Sequence, residues 1–567
     1  MIGKYGKGKC MNCKRAFLML FVTILTFVMS QSFVAAEGET PSYTHRISEQ
    51  AEPMQTGKFE PTWASLKQYG CPDWFRDAKF GIWAHWGPQC EPEQGDWYAR
   101  HMYAESGGQA RFHRDNYGHP SQFGFKDVIN EWKAENWDPD KLMQLYKRAG
   151  AQYFFALANH HDNFDNYDSK YQPWNSVNIG PKKDIIGLWA KAARKYGLRF
   201  GVSAHAAHAW TWYETSQGAD RDGPYAGVPY DGKLTKEDGK GKWWEGLDPQ
   251  ELYAQDHPRS ADINDPGAIH RQWHWSNGAS IPDLAYCEKF YNRTLDLINK
   301  YQPDLVYFDD TVLPLYPFSD TGLKIAAHYY NSSIIWHDGR NEAVLFGKIL
   351  TPEQRQCITW DVERGASNVI ESEPWQSCTC IGGWHYDRGL YERHRYKNVK
   401  TVVHMLVDIV SKNGNMLLSI PVRGDGTIDD DEAAFLEGMA EWIDINRECI
   451  FETRPWKVFG EGPAMEGAAE LNAQGFNEGK GKPLGPEDIR FTTKGDTLYA
   501  IVLGWPTNEL KIKSLGTASG LLDKPVKSIE LLGSNEQINW SQDEEALTIQ
   551  PATKKPSDIA VAFKIKM

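Results

Sequence analysis

The sequence predicts an α/β protein, a (β/α)8-like barrel over residues 37–455 followed by a β-sandwich over residues 456–567. Three observations carry this. Short apolar runs recur eight times, several of them ending in a polar cluster; amphipathic stretches of helical period separate several of the runs; and from about Trp456 onward the helical patterns give way to short alternating strands with turn signals.

In chain order the predicted barrel strands are KFGIWAHWG, YFFALANHHD, RFGVSAHAAH, DLVYFDD, IIWHDGR, CITWDVERG, SCTCIGGWH and GNMLLSIPV. DPDKLMQLYKRAG and DIIGLWAKAARKYG read as helices after the first and second runs. In such a barrel the strand ends gather on one face, where the loops build a site. The second run is the most telling, because it passes from the buried pattern YFFALAN directly into His160, His161 and Asp162. Beyond the barrel, DIRFTTKGDTLYAIVLGWP, LKIKSLG, KSIELLG and DIAVAFKIK predict sandwich strands, with packing against the barrel as their expected role and no catalytic constellation among them.

Residues 1–36 have the layout of a secretory signal: the basic MIGKYGKGKCMNCKR, the apolar AFLMLFVTILTFVM and small residues up to Ala36. The apolar run is shorter than the roughly 20 residues of a membrane span. The expectation is an exported chain, secreted or periplasmic, with no membrane attachment once the leader is removed. The formal charge of −13 becomes more negative on that removal, since the leader carries Lys and Arg but no acid. This argues against nucleic-acid binding, which rests on Lys and Arg patches, and no basic run stands in the body of the chain. Cys10 and Cys13 leave with the leader, and the scattered remaining cysteines offer neither a disulfide framework nor a C-x-x-C zinc spacing. The 23 Trp provide indole faces suited to cores and to sugar rings.

Four blocks taken together, WFRDAKFGIWAHWGPQCEPEQGDWYARHMY, HHDNFDNYDSKYQPWNSVNIGPKKDIIG, YQPDLVYFDD and VSKNGNMLLSIPVRGDGTIDDDE with EWIDINRECIFETRPW, resemble in order the signature blocks of the retaining α-L-fucosidases of glycoside hydrolase family 29. The resemblance spans roughly Phe59 to Pro463. It implies an exo-acting glycosidase that releases terminal α-L-fucose from a fucosylated glycan or oligosaccharide by double displacement, without cofactor or metal. Alternatives within the resemblance are an α-L-galactosidase and a catalytically silent sugar-binding relative.

The resemblance also assigns residues. Asp309, at the end of DLVYFDD, is the expected nucleophile; Asp310 stands where the family usually has Gly, and two facing carboxylates would repel, so Asp310 is expected to turn away. His85, His160 and His161 are expected to hold sugar hydroxyls, since a neutral imidazole both donates and accepts. A metal site on His160, His161 and Asp162 is disfavoured because neighbours on an extended strand face opposite sides. Asp96 and Trp97 in GDWY and Arg364 in WDVERG are further expected sugar contacts, with a surface ion pair between Arg364 and its neighbour Glu363 as the competing reading. RFGVSAH departs from the family with Ser203 and Ala204 where Tyr is common, and His205 is a possible replacement contact. The largest departure is Gln376, in the position where many members carry the acid/base Glu; an amide cannot ionise, so Glu373 or Glu371 is expected to supply the proton.

Overall fold

The computed structural model describes residues 43–47, 51–263, 265, 272–275, 278–466 and 468–567. The leader lies outside the described residues. Eight parallel strands close into a barrel in sequence order: β1 (Phe80–Ala84), β2 (Tyr153–Asn159), β3 (Arg199–Ala204), β4 (Leu305–Phe308), β5 (Val344–Gly347), β6 (Thr359–Glu363), β7 (Trp375–Cys380) and β8 (Gly414–Ser419). Their burial is nearly unbroken because both faces are covered. Trp83, Phe155, Tyr307, Phe346 and Leu417 point inward and fill the barrel, while Ile82, Phe154, Val306, Leu345 and Leu418 point outward under the helices. Gly81 is required by this interior: a Cβ there would lie 2.2 Å from the ring of Tyr153.

Seven of the eight predicted runs contain a barrel strand, and the fifth does not. IIWHDGR opens as the end of a helix, Thr321–Trp336, and continues into a turn. Three consecutive apolar residues have no period, so they read equally as strand or helix. The true fifth strand is only the four-residue VLFG, buried throughout and too short to stand out.

The two expected helices form as α1 (Pro139–Arg148) and α2 (Ile185–Lys195), capped by Asp138 and Asp184, which accept the amides of Lys141 and Gly187. Gly150 and Gly197 follow them with positive φ, the conformation that ends a helix most easily on glycine. Further layers come from α3 (Leu284–Tyr301), α4 (Thr321–Trp336), α5 (Val399–Ser411) and α6 (Asp430–Ile450), the last opened by a capping box between Asp429 and Glu432.

After α6 the chain forms two antiparallel sheets. One contains β9 (Arg454–Glu461), β10 (Ile489–Lys494), β11 (Thr497–Val502), β13 (Ser528–Leu531) and β16 (Val561–Lys566); the other contains β12 (Leu510–Ile512), β14 (Trp540–Gln542) and β15 (Leu547–Ile549). Phe491, Leu498 and Phe563 of the first sheet meet Ile512, Leu547 and Ile549 of the second in one core. The opposite face of the larger sheet, through Tyr499, Ile501 and Ala562, joins the barrel's outer core. Polar ties at the joint include Trp442 Nε1 donating to Ala560 O at 3.0 Å and Arg490 paired with Asp408 at 2.6 Å.

The loop leaving β2 is held from inside. Asp165 is fully buried, receives Arg293 of α3 at 2.6 Å and Asn159 Nδ2 at 2.9 Å, and Arg293 also reaches Asn163 Oδ1 at 2.6 Å. Asn159 in turn accepts the amides of His205 and Ala206 at 3.0 and 3.1 Å, linking the ends of β2 and β3. Replacing Arg293 by Met should therefore leave a buried carboxylate uncompensated and destabilise the fold by roughly 3–5 kcal/mol. Adding Asp165→Asn should recover part of that loss. Urea unfolding checks both, and an unshifted midpoint for the single variant would remove the pair from this role.

Candidate active site

The ends of seven strands supply a single cavity of about 650 Å³. His85 follows β1, His160 follows β2, His205 follows β3, Asp309 follows β4, Lys348 follows β5, Glu363 ends β6, and Trp384 and His385 follow β7. Trp83 and Tyr307 contribute to its lining from inside the barrel, and Asp96, Trp97 and Arg364 line it as well.

Asp309 is the electrostatic centre. Its carboxylate receives His161 Nε2 at 3.0 Å and is in contact with the ammonium of Lys348, which also contacts Glu363 at 2.5 Å. His205 Nδ1 lies 3.3 Å from the same carboxylate but off the line of a hydrogen bond. Burial would raise the pKa of Asp309; the charge of Lys348 and the imidazole contacts outweigh it and hold the group well below the usual carboxylate range. Lys348 responds in the opposite sense: its burial is overcome by the two carboxylates, and it stays charged. Sharing one ammonium keeps the nearest oxygens of Asp309 and Glu363 no more than about 5 Å apart, so the two carboxyls are near enough to act on one glycosidic bond.

Around this pair stands a cluster of imidazoles. His160 and His161 do not take opposite sides: β2 ends at Asn159, both residues sit in the turn beyond it, and their rings are 4.4 Å apart. Gln89 Nε2 lies 2.8 Å from His160 Nδ1, and by donating there leaves Nε2 as the nitrogen that carries the proton. His161 faces two acceptors, Asp309 and His205 O at 2.7 Å, which only a doubly protonated ring satisfies at once; burial opposes that charge and pulls its pKa below the ordinary value. Burial also lowers His85 and His160 strongly and takes His205 down to about 4. Both ring nitrogens of His85 and of His205, and Nε2 of His385, are buried without a hydrogen-bond partner. Such groups need a polar ligand. Among the described residues, one nitrogen each of His85, His160 and His205 lies within 4.8 Å of the others, and so do one ligand atom each of His161, His205 and Asp309, so either set has the spacing to hold a cation.

A profile of the family described as Alpha-L-fucosidase matches residues 46–448, and one described as Alpha-L-fucosidase C-terminal domain matches residues 484–566. The chain belongs to the α-L-fucosidase family. Tissue alpha-L-fucosidase of Mus musculus is 26% identical over 529 residues, covering 91% of this chain and 95% of its own length; Alpha-L-fucosidase of Branchiostoma floridae is 25% identical, covering 88% and 93%. Among solved structures, Thermotoga maritima alpha-fucosidase in complex with fucose shares the fold with a TM-score of 0.63 at 23% identity, covering 89% of this chain and all of that one. A trapped covalent intermediate of a Bacteroides thetaiotaomicron α-L-fucosidase aligns with a TM-score of 0.55 at 15% identity, over 93% of this chain and all of that one.

Within this α-L-fucosidase fold, the structure brings His85, Asp96, Trp97, His160, Asp309 and Arg364 to the cavity, with His161 behind Asp309. Asp96 is oriented by the amides of Trp384 and His385, at 3.1 and 2.6 Å. Asp310 turns its carboxylate into the following loop, accepting the amides of Thr311 at 2.7 Å and Leu315 at 3.3 Å.

The acid/base expectation is overturned. Glu371 and Glu373 precede β7 and so lie at the opposite end of the barrel, where Glu371 binds Ser367 Oγ and Arg355 and Glu373 lines a small separate cavity with Lys67 and Cys71. Gln376 is not a mouth residue either. As the second residue of β7 it sits inside the barrel, donating to Asp361 Oδ1 at 2.8 Å and accepting from Tyr153 at 3.1 Å. A carboxylate there would face Asp361, so the amide suits the position. The carboxylate that shares the cavity and the Lys348 ammonium with Asp309 is Glu363, at the end of β6. Lys348 and His385 also went unrecognised, Lys348 because its strand was misplaced by the neighbouring run. The sequence predicts that the C-terminal segment only packs against the barrel, yet Gln474, Phe476 and Glu478 line the cavity.

The neutral histidines make stability depend on acid. In the folded chain His205 titrates near 4, against about 6.5 for an unfolded one. As pH falls below 6.5 the unfolded chain takes up the proton first, so the stability present at neutral pH is lost progressively down to about 4 and amounts to roughly 3 kcal/mol for this residue. His85 and His160 act in the same direction. The urea midpoint should thus fall between pH 7 and 4.5, and less steeply in His205→Gln; equal slopes would mean that His205 is not held neutral.

Proposed function

We propose that the chain is a secreted, exo-acting, retaining α-L-fucosidase that works by double displacement through Asp309 and Glu363. The observation that carries this reading is the sharing of Lys348 by the two carboxylates across the cavity. It supports both roles at once: one carboxylate held ionised as nucleophile, the other close enough to serve the departing oxygen.

Asp309 attacks the anomeric carbon while Glu363 gives its proton to the leaving-group oxygen. The product is a fucosyl ester on Asp309 and a free alcohol. Esterification removes the charge of Asp309, so the full charge of Lys348 then falls to Glu363, the residue that must next work as an anion and take a proton from water. Water attacks the anomeric carbon, the ester breaks, and Asp309 leaves as carboxylate. His160 and the unpartnered nitrogens of His85 and His205 provide the donors and acceptors for the ring hydroxyls. An exo mode is supported by the cavity floor, which Trp83, Tyr307 and Asp361 lie along. The covalent state trapped in the Bacteroides neighbour is the state assigned here to Asp309. Secretion rests on the leader at residues 1–36.

Asp309→Gly should abolish turnover, and added azide should restore part of the rate on an activated fucoside, yielding the β-linked fucosyl azide. A normal rate without azide would remove Asp309 from the mechanism. Glu363→Ala should lower kcat/KM by about 10²–10⁴-fold on oligosaccharides, and far less on α-L-fucosyl fluoride, whose leaving group needs no proton. An equal loss on both would assign the proton elsewhere. Proton NMR of the first product should show α-L-fucose; initial β-fucose would overturn retention.

A further inference from the structure

The connection from β9 to β10 does not stay with the sandwich. Residues from about Leu471 to Glu478 cross to the barrel mouth and are fastened to the segment that follows β6. Asn368 and Leu471 exchange two bonds, the Leu471 amide donating to Asn368 Oδ1 at 3.1 Å and Asn368 Nδ2 donating back. Asn477 does the same with Ala366, both at 2.9 Å. The Glu478 amide then donates to Arg364 O at 2.8 Å, and the Glu478 carboxylate receives Thr379 Oγ1 at 2.5 Å and pairs with Lys397.

Between these anchors stands Phe476, 53% exposed and with φ of +50°, a conformation uncommon for a bulky residue. Ile349, 44% exposed and next to Lys348, lines the same cavity. A large apolar side chain held outward by bonds on both sides, at the edge of a cavity otherwise rich in imidazoles and carboxylates, is a surface kept for a ligand.

We propose that Phe476 is the platform for the sugar on the leaving-group side of the scissile bond. This rests on the reading of Asp309 and Glu363 given above. The direction follows from the chain: the oxygen that Glu363 protonates belongs to the leaving group, and the next residue, Arg364, is the one whose carbonyl anchors Glu478 and so places Phe476. The departing sugar therefore emerges on the side where Phe476 stands, and the apolar face of its ring can lie on the phenyl ring. The occupant is a neutral sugar, because Asp96, Asp309 and Glu363 line the cavity and its two cations are Lys348, already shared by two of these acids, and Arg364. The C-terminal segment thus sets which glycans are cut, while the barrel cuts them.

The test compares kcat/KM for α-L-fucosyl fluoride, which has nothing to place on Phe476, with that for a neutral α-L-fucosyl-galactoside. Phe476→Ala should leave the fluoride within about twofold of wild type and lower the disaccharide about tenfold or more, and Phe476→Tyr should restore it. Equal changes on both substrates, or no change on either, would overturn the platform. A disaccharide with an acidic leaving-group sugar should be cut less well than the neutral one by wild type; a preference for the acidic sugar would overturn the assigned occupant. Wild-type inactivity on both fluoride and disaccharide would instead overturn the glycosidase reading on which the platform rests.

Discussion

Two carboxylates brought close together in a partly desolvated cavity repel each other, and one ammonium in contact with both makes the arrangement tenable. The barrel provides it by strand order. Asp309 follows β4, Glu363 ends β6, and Lys348 follows β5, the strand that pairs with both. A cation on the middle strand reaches an acid on each neighbour. Moving Lys348 one residue along its strand would turn the side chain to the other face, and the two acids would face each other with no counter-ion. The register of four short residues, VLFG, therefore sets the charge balance of the whole site.

The histidines impose a second constraint. Five of them, His85, His160, His161, His205 and His385, are buried within ring contacts of one another. Protonated together they would repel; kept neutral and unpartnered, their nitrogens are costly to bury. A ligand whose hydroxyls both donate and accept would resolve both problems, which is the ground for proposing the cluster as a sugar site. The tie from Asp165 and Arg293 through Asn159 to the His205 amide fixes the loops from which these rings project, so the site is organised by buried charge well behind it.

Much of this was legible in the sequence because local pattern carried it. The helices between Asp138 and Gly150 and between Asp184 and Gly197 announce both ends, and Asp309 and His160 stand directly after long apolar runs, where a barrel places its chemistry. What failed depended on where a strand ends. His160 and His161 were assigned to opposite faces on the premise that β2 continues through them, whereas it stops one residue earlier. Gln376 was placed at the mouth because it follows a Trp in a familiar block, but the mouth is at the other end of β7 and position 376 faces Asp361. Glu363 reads in the sequence as a surface charge beside Arg364; its partner, Lys348, is fifteen residues away and directly follows a strand that no periodicity reveals.

The C-terminal sheets were legible as sheets and illegible as part of the site, and the reason is topological. Their strands pack by alternation, which a sequence shows, whereas the excursion between β9 and β10 has no period and is defined by its contacts with residues more than a hundred positions earlier. Those contacts are amide to backbone, specific in direction and independent of hydrophobic pattern. They require the sandwich to sit in one orientation on the barrel, and the docking of its larger sheet against α5 and α6, with Trp442 and His404 each bonded to a carbonyl of the final connection, supplies that orientation. The sandwich is thus better understood as a rigid arm than as a cover. Its own core holds the arm straight, its outer face fixes the angle, and the loop at its end brings Phe476 and Glu478 to a mouth built from the other half of the chain.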